Sequence, residues 1–284
     1  MNSTETTRVY EEECNVRNRL LGIVVCVLTV FLVSVGAFAA DNTLTIAGST
    51  TVRPVAEELA KSFMRKNPDV KVLVQGGGSG QGIENVRLGV VDIGMASREL
   101  TPAEKDYGLK EWLVAGDGIA IVVNRNVPID NLTLEQIRGI FTGRITNWKS
   151  VGGYDAPIVV VNREDGSGTR TAFREIVLGD QSFTDLALVG DGNGVVHKIV
   201  STTPNAIGYI SLGYVDHLVK AIRVDGVEAS IETILDGSYK VSRPLLFLTK
   251  GEPTGPVKEF LEFALSPEGQ TIVSAKYIPV VLVK

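Results

Sequence analysis

Between Asn42 and Ser97 one pattern recurs: an apolar, strand-like run ends in a loop of small polar residues, and a helix-like stretch follows. "NTLTIAGSTTV" alternates at Leu44 and Ile46 and breaks at Gly48, as a strand does when it runs into a loop. Pro54 suits the first turn of a helix. Val55, Leu59 and Phe63 then recur at four-residue spacing, with Ala56 and Ala60 on the same side, so a helix runs to about Lys66, where Asn67-Pro68 stops it. "VKVLVQ", "GGGSGQG" and "IENVRLG" repeat the unit, and "VVDIGMAS" opens it again. A chain that alternates in this way builds an α/β sheet covered by helices.

The remainder continues the alternation. "GIAIVVN" (Gly118 to Asn124) is a strongly apolar strand, and Thr133 and Gln136 stand at capping-box spacing ahead of a helix. "PIVVVN" reads as a strand, "GNGVVHKIVSTTPNAIGYI" as helix, turn and strand, and "RPLLFLT" as another buried strand. The tail "GPVKEFLEFALSPEGQTIVSA" reads as two helices, the second opened by Ser266 and Pro267. There is no solenoid repeat, low-complexity stretch or Pro-rich linker. Two lobes joined by crossing strands fit that pattern better than separate beads.

With 284 residues, 44% hydrophobic and 21% charged, the chain is an ordinary globular protein, large enough for one large domain or two lobes. A net charge of −5 gives no basis for a nucleic-acid partner. The first residues differ from the rest. Arg17 and Arg19 precede an apolar run from Leu20 to Ala39 that closes on Ala37-Phe38-Ala39, a small-x-small cleavage pattern. Residues 1–39 therefore read as a secretory signal peptide. An uncleaved anchor helix is the competing reading, because the run is nearly long enough to span a bilayer. Both cysteines, Cys14 and Cys26, lie in this segment, so the mature part holds no disulfide framework, thiolate metal site or cysteine nucleophile.

Four loops share one chemistry: Gly48-Ser49-Thr50-Thr51, Gly78-Ser79-Gly80, Asp92 with Ser97-Arg98, and Arg163 with Ser167-Gly168-Thr169. Each is read as a strand exit, and in open α/β sheets ligands sit beyond the carboxyl ends of strands. Three of them also start helices. The first turn of a helix has N–H groups without partners in the helix, and its dipole favours an anion. Arg163 adds a planar fork of donors that fits an oxyanion. A lone capped turn needs the same residues at Ser167 or Thr169, but four such loops together point to an oxyanion site. Enzyme readings are weaker. Ile83 and Glu84 follow Gly82 where a P-loop has Lys and Ser/Thr. Neither Ser79 nor Ser167 sits in a G-x-S-x-G elbow, His197 and His217 are distant in sequence, and no cofactor or metal motif is present.

In order and type, "AGSTTVRP", "QGGGSGQGI", "VDIGMASREL", "LTLEQIRGIFTGRITNWKSVGG", "NREDGSGTRTAF" and "NAIGYISLGYV" resemble the substrate-binding proteins of phosphate ABC transporters, the PstS family. The resemblance implies the two-lobed α/β fold of type II periplasmic binding proteins, with the ligand cleft between lobes. Lobe one is then 41–119 plus 245–284 and lobe two 120–244. It implies a non-enzymatic, monomeric, extracytoplasmic receptor without cofactors, which captures inorganic phosphate and delivers it to membrane permease subunits. Another oxyanion such as sulfate or molybdate, or a phosphate-sensing role without transport, are the alternatives. Carried over by position, the ligand hydroxyls fall on Thr50 or Thr51, on Ser79 beside Gly80, and on Ser167. Gly168 and Thr169 give helix-start donors, Arg163 the arginine and Asp92 the acidic ligand, with Ser49, Ser97 and Arg98 as neighbours. A carboxylate only accepts hydrogen bonds, so an acid at this place would pair with the proton that phosphate carries and sulfate lacks.

Overall fold

The computed structural model describes residues 42–280. The signal-peptide reading of 1–39, with Cys14 and Cys26, lies outside them. No helix among the described residues is long and apolar enough to cross a membrane.

The alternation read from the sequence is present. β1 (Thr43–Gly48) leads to α1 (Arg53–Lys66), β2 (Lys71–Gln75) to α2 (Ser79–Leu88), and β3 (Ile93–Ala96) to the short α3 (Pro102–Lys105). The long β4 (Leu109–Asn124) follows, then β5 (Asn131–Leu132), α4 (Leu134–Phe141) and β6 (Val159–Arg163), which feeds α5 (Gly168–Phe173). β7 (Leu188–Gly190), α6 (Asn193–Thr202) and β8 (Ala206–Ser211) form the next unit, followed by β9 (Val219–Ala221), β10 (Arg223–Val224) and α7 (Ile231–Leu235). β11 (Ser242–Lys250), α8 (Gly255–Leu265), α9 (Pro267–Ser274) and β12 (Ile278–Pro279) complete the described chain.

Local chemistry explains several boundaries. α1 buries Val55, Ala56, Leu59, Ala60 and Phe63, the face given by the four-residue spacing, and the Asn67 N–H closes it on the Phe63 carbonyl at 3.0 Å. Thr133 and Gln136 form the reciprocal capping box that starts α4, and Ser266 caps α9 by accepting from the Gly269 N–H. β4 differs from expectation: it begins at Leu109, not near Gly118. Leu109 to Gly118 pairs antiparallel with β11, from Lys250 back to Ser242. That pairing partner lies more than a hundred residues on, and Lys110, Glu111 and Asp117 hide the strand from a purely apolar reading.

The strand order is β2-β1-β3-β11-β4-β8-β6-β7. β1 runs parallel to β2 and β3, β6 runs parallel to β7 and β8, and between the two parallel groups β11 and β4 run antiparallel. The buried apolar side chains separate along the same line. One cluster is drawn from residues 119–241, including a Phe173–Tyr209 stack with centroids 4.0 Å apart. A second is drawn from 44–115 and 245–277, including an edge-to-face Phe63–Phe260 pair at 5.4 Å. β4 serves both: Val114 and Ala115 belong to the second cluster and Ile119 to Val123 to the first.

Candidate functional site

The register decides where the strand exits point. Leu246 of β11 faces both Ala96 of β3 and Leu113 of β4, so β3 runs with β4 and its carboxyl end heads for Asp117. From the other side, Ser211 at the carboxyl end of β8 faces Ile119 of β4, and β6 runs parallel to β8. Both parallel groups therefore aim their carboxyl ends at the middle of β4, between Gly116 and Ile119. This is a topological switch point, where open α/β sheets place their ligands.

Four helices start there. After β1, Gly48 has φ +136°, and a Cβ on it would stand 2.4 Å from the Met95 carbonyl oxygen, so only glycine allows this turn. Ser49 Oγ then accepts from the Thr51 and Val52 N–H groups ahead of α1. After β2, α2 begins at Ser79, whose Oγ accepts from the Ser97 N–H at 3.0 Å. After β6, Ser167 caps α5 by accepting from the Arg170 N–H at 3.2 Å. After β7, α6 begins at Asn193. The loops of β2 and β6 touch: the Gly80 N–H donates to the Gly166 carbonyl at 3.0 Å. A Cβ on Gly168 would lie 2.2 Å from Ser79 Oγ and 2.7 Å from Ser97 Oγ, so three chain segments meet only because residue 168 has no side chain.

The side chains between these starts form one polar network. Thr51 Oγ1 accepts from Asn193 Nδ2 at 2.9 Å and from Arg243 Nη2 at 3.1 Å, and lies 3.3 Å from Thr169 Oγ1. Arg243 also donates Nε and Nη2 to Asp117 Oδ2 at 3.2 and 2.9 Å, and Nη1 to the Ser97 carbonyl and hydroxyl. Ser211 Oγ donates to Asp117 Oδ1 at 2.9 Å. Burial pushes the Asp117 carboxyl above its ordinary range, against the charge and hydrogen bonds of Arg243 and the Ser211 hydroxyl. Burial pushes the Arg243 guanidinium down while Asp117 opposes it. Each is the other's counter-ion, and that lets both remain in the interior.

Arg163 sits beside this network, with its side chain 1% exposed. Its Nη2 donates to Thr50 Oγ1 at 3.2 Å, while Nε and Nη2 grip the Glu164 carboxylate at 2.8 and 2.7 Å. Burial alone would raise the Glu164 carboxyl, but the hydrogen bonds and charge of Arg163 outweigh it and hold that carboxyl below its usual range. Arg163 Nη1 is buried with no acceptor. A buried, unsatisfied cationic donor costs more than a neutral one, so this atom has room for an acceptor that the protein itself does not supply. The full fork that the sequence suggests for an anion is half committed to Glu164, and Nη1 is the part left to reach one.

The structure thus brings together Thr50, Thr51, Ser79, Gly80, Ser97, Arg163, Ser167, Gly168 and Thr169, with Ser49 buried behind them, its hydroxyl accepting from the turn ahead of α1. Asp92 is a correction. It precedes β3 at the amino end of the strand, is exposed, and accepts from the Thr45 N–H at 2.8 Å and the Thr45 hydroxyl at 2.7 Å. At about 3.3 Å per residue the strand carries it roughly 16 Å from Ser97. The sequence showed an acid beside a strand but not on which side of the first paired residue it fell. Arg98 also faces elsewhere, in a two-point pair with Glu104.

Sequence reasoning missed Asn193, Asp117, Arg243 and Ser211. Asn193 had a readable signal: "GNG" opening a helix after a strand repeats the pattern of the other three helix-starting loops. Asp117 and Arg243 are 126 residues apart in the chain, and only the β4–β11 register brings them face to face. Among the described residues no three His, Cys, Asp or Glu side chains gather as a metal site.

A cluster of hydroxyls, helix starts and two arginines, set at the switch point between two separately cored halves, defines a binding protein of the periplasmic type. Residues 34–268 match the family model of the PBP superfamily domain. The phosphate-binding protein PstS of Bacillus subtilis is 37% identical over 252 residues, covering 86% of this chain and 83% of that protein. That of Borreliella burgdorferi is 32% identical over 82% of this chain and 88% of its own. The crystal structure of a phosphate ABC transporter substrate-binding protein with bound phosphate from Clostridium perfringens is 51% identical, with a TM-score of 0.82 over 84% of this chain and 99% of that one. An ABC-type phosphate transport receptor from Vibrio cholerae is 39% identical, with a TM-score of 0.72 over 84% and 99%. The chain belongs to the PBP superfamily and, within it, to the PstS family.

Proposed function

We propose that this protein is the substrate-binding protein of a phosphate ABC transporter, which holds inorganic phosphate at the switch point and hands it to membrane permease subunits. The observation that carries this reading is Arg163 Nη1, a buried cationic donor without an acceptor, set among the hydroxyls of Thr50, Thr51, Ser79 and Thr169 and the start of α5. The first N–H groups of α5, at Gly168 and Thr169, have no partners within the helix, and its dipole favours negative charge there. The relatives named as phosphate-binding proteins, and the one solved with bound phosphate, support phosphate as the anion.

In this reading the buried apolar clusters divide between two lobes, 41–119 plus 245–284 and 120–244. β4 and β11 cross between them, and the contact of Gly80 with Gly166 belongs to the closed arrangement. The protein works as an extracytoplasmic monomer, and binding rather than catalysis is its task. No carboxylate is assigned to the phosphate proton, since Asp92 lies apart and Asp117 is engaged by Arg243 and Ser211. Calorimetric titration of the purified protein with phosphate, arsenate, sulfate and molybdate at one pH tests the reading. Saturable one-to-one binding with phosphate ahead of sulfate and molybdate is expected; a preference for either of these overturns the assignment.

A further inference from the structure

We propose that Arg243 and Asn193 are positioning residues that aim the Thr51 hydroxyl at Thr169, so that the Thr169 hydroxyl faces the anion as a donor, and that Asp117 holds Arg243 in place to do so. This rests on the phosphate-binding reading above and adds residues that do not themselves touch the anion.

A threonine hydroxyl has one proton and two lone pairs. Thr51 Oγ1 receives Arg243 Nη2 at 3.1 Å and Asn193 Nδ2 at 2.9 Å. A guanidinium has no acceptor, so the first contact has only one possible direction. The second is fixed as well. Asn193 Oδ1 accepts from the Ser211 backbone N–H at 3.0 Å, which turns the amide nitrogen towards Thr51. Both lone pairs of Thr51 are therefore filled, and its proton must point away from Arg243 and Asn193. Thr169 Oγ1 lies on that side at 3.3 Å. Once Thr169 accepts from Thr51, its own proton is free to go onward.

The chain of donation runs from Arg243 through Thr51, and on through Thr169, towards the start of α5. Linked hydrogen bonds polarise one another in a low-dielectric interior. The Thr169 hydroxyl thereby meets an anion as a donor already aimed, without the cost of reorienting a free rotor. Arg243 can do this only if it is itself immobile. Two contacts to Asp117 and two to Ser97 hold its guanidinium where β4 and β11 face each other.

A double-mutant cycle on phosphate affinity separates positioning from general structural support. The pair is neutralised together, Asp117→Asn with Arg243→Met, so that net charge is unchanged and neither buried charge is orphaned. Thr51→Val removes the hydroxyl at nearly constant shape. Titrated with inorganic phosphate, Thr51→Val and the neutral pair are each expected to weaken binding at least about tenfold, the size of one hydrogen bond to a charged group, here that of Thr169 to the anion. In the Thr51→Val background the neutral pair is expected to add less than about twofold, because its effect passes through the missing hydroxyl. Thr51→Ser, which keeps the hydroxyl, is expected to recover most of the affinity that Thr51→Val loses. If the neutral pair does not fold by circular dichroism, Asn193→Leu takes its place in the cycle with the same expectation. Fully additive losses, or a neutral pair that binds as the wild type does, overturn the proposal. A wild-type protein that binds no phosphate overturns the functional reading and this inference with it.

Discussion

Arg163 is paired with the next residue in the chain: its Nε and Nη2 hold both oxygens of Glu164, and its Nη1 is left buried without an acceptor. Glu164 also accepts from the Gly192 N–H at 3.2 Å, so the pair is tied to the start of α6. The carboxylate orients the guanidinium and leaves one donor edge open. Glu164→Gln is expected to loosen Arg163 and weaken phosphate binding several-fold, as loss of a partly buried charged contact does. Titration of the variant checks this; wild-type affinity would mean that Glu164 does not orient Arg163.

The same pair sets a pH dependence. The Glu164 carboxyl in the folded protein lies below its ordinary value, which is about 4.3 in an unfolded chain. Its contribution to stability is therefore complete above that unfolded value and disappears as pH falls through the lower, folded one. The gap in melting temperature between wild type and Glu164→Gln should be constant around neutrality and close only in acid, below the usual glutamate range. A gap that closes on the alkaline side would contradict this sign.

Gly168 tests the contact between the loops. A Cβ at this position would meet Ser79 Oγ at 2.2 Å and Ser97 Oγ at 2.7 Å, so Gly168→Ala must separate the loops of β2 and β6. Phosphate affinity is expected to fall by more than about tenfold, the cost of one lost charged contact or more. Secondary structure should be unchanged, since residue 168 is at a helix start and alanine favours helix. An alanine variant with undiminished affinity would show that the two loops need not meet.

Asp92 gives the reverse expectation. Its carboxylate organises the turn into β3 by accepting from Thr45, so Asp92→Asn is expected to cost about 1 kcal/mol of stability. It should leave the ratio of phosphate to sulfate affinity where it was. Parallel titrations with the two anions decide it, and a changed ratio would return Asp92 to the site.

Breaking one half of the buried pair should be severe. Asp117 and Arg243 are both almost fully buried, and removing one partner strands the other charge, at a cost of about 3–5 kcal/mol. Asp117→Asn alone is expected to lower the midpoint of denaturant unfolding accordingly, and addition of Arg243→Met to restore much of the loss. A double variant no more stable than the single one would show that the stranded charge is not the cause.

What was legible in the sequence is what local chemistry controls. Val55, Leu59 and Phe63 announced the buried face of α1, Thr133 and Gln136 announced a capping box, and Ser266 announced the start of α9. The hydroxyl loops were legible because small residues at strand exits are needed wherever a backbone must turn closely and start a helix. Asp92 misled because a charged residue beside an apolar run looks the same at either end of a strand, whereas its role depends on which end it is. The first half of β4 was hidden because its partners in β11 lie far along the chain. Asp117 and Arg243 escaped for the same reason: neither has a local motif, and only strand register makes them a pair.

The most direct test of the whole account is calorimetric titration of the wild type and Arg163→Ala with phosphate at one pH. In the proposed reading Arg163 Nη1, buried without an acceptor, is the donor that the anion satisfies, and a hydrogen bond to a charged group contributes about 1.5–3 kcal/mol, or roughly one to two decades of affinity. Saturable one-to-one binding by the wild type and at least about tenfold weaker binding by the variant are expected, with matching circular dichroism spectra. Equal affinity in the two proteins would contradict it, because the anion would then be held somewhere other than the open edge of Arg163.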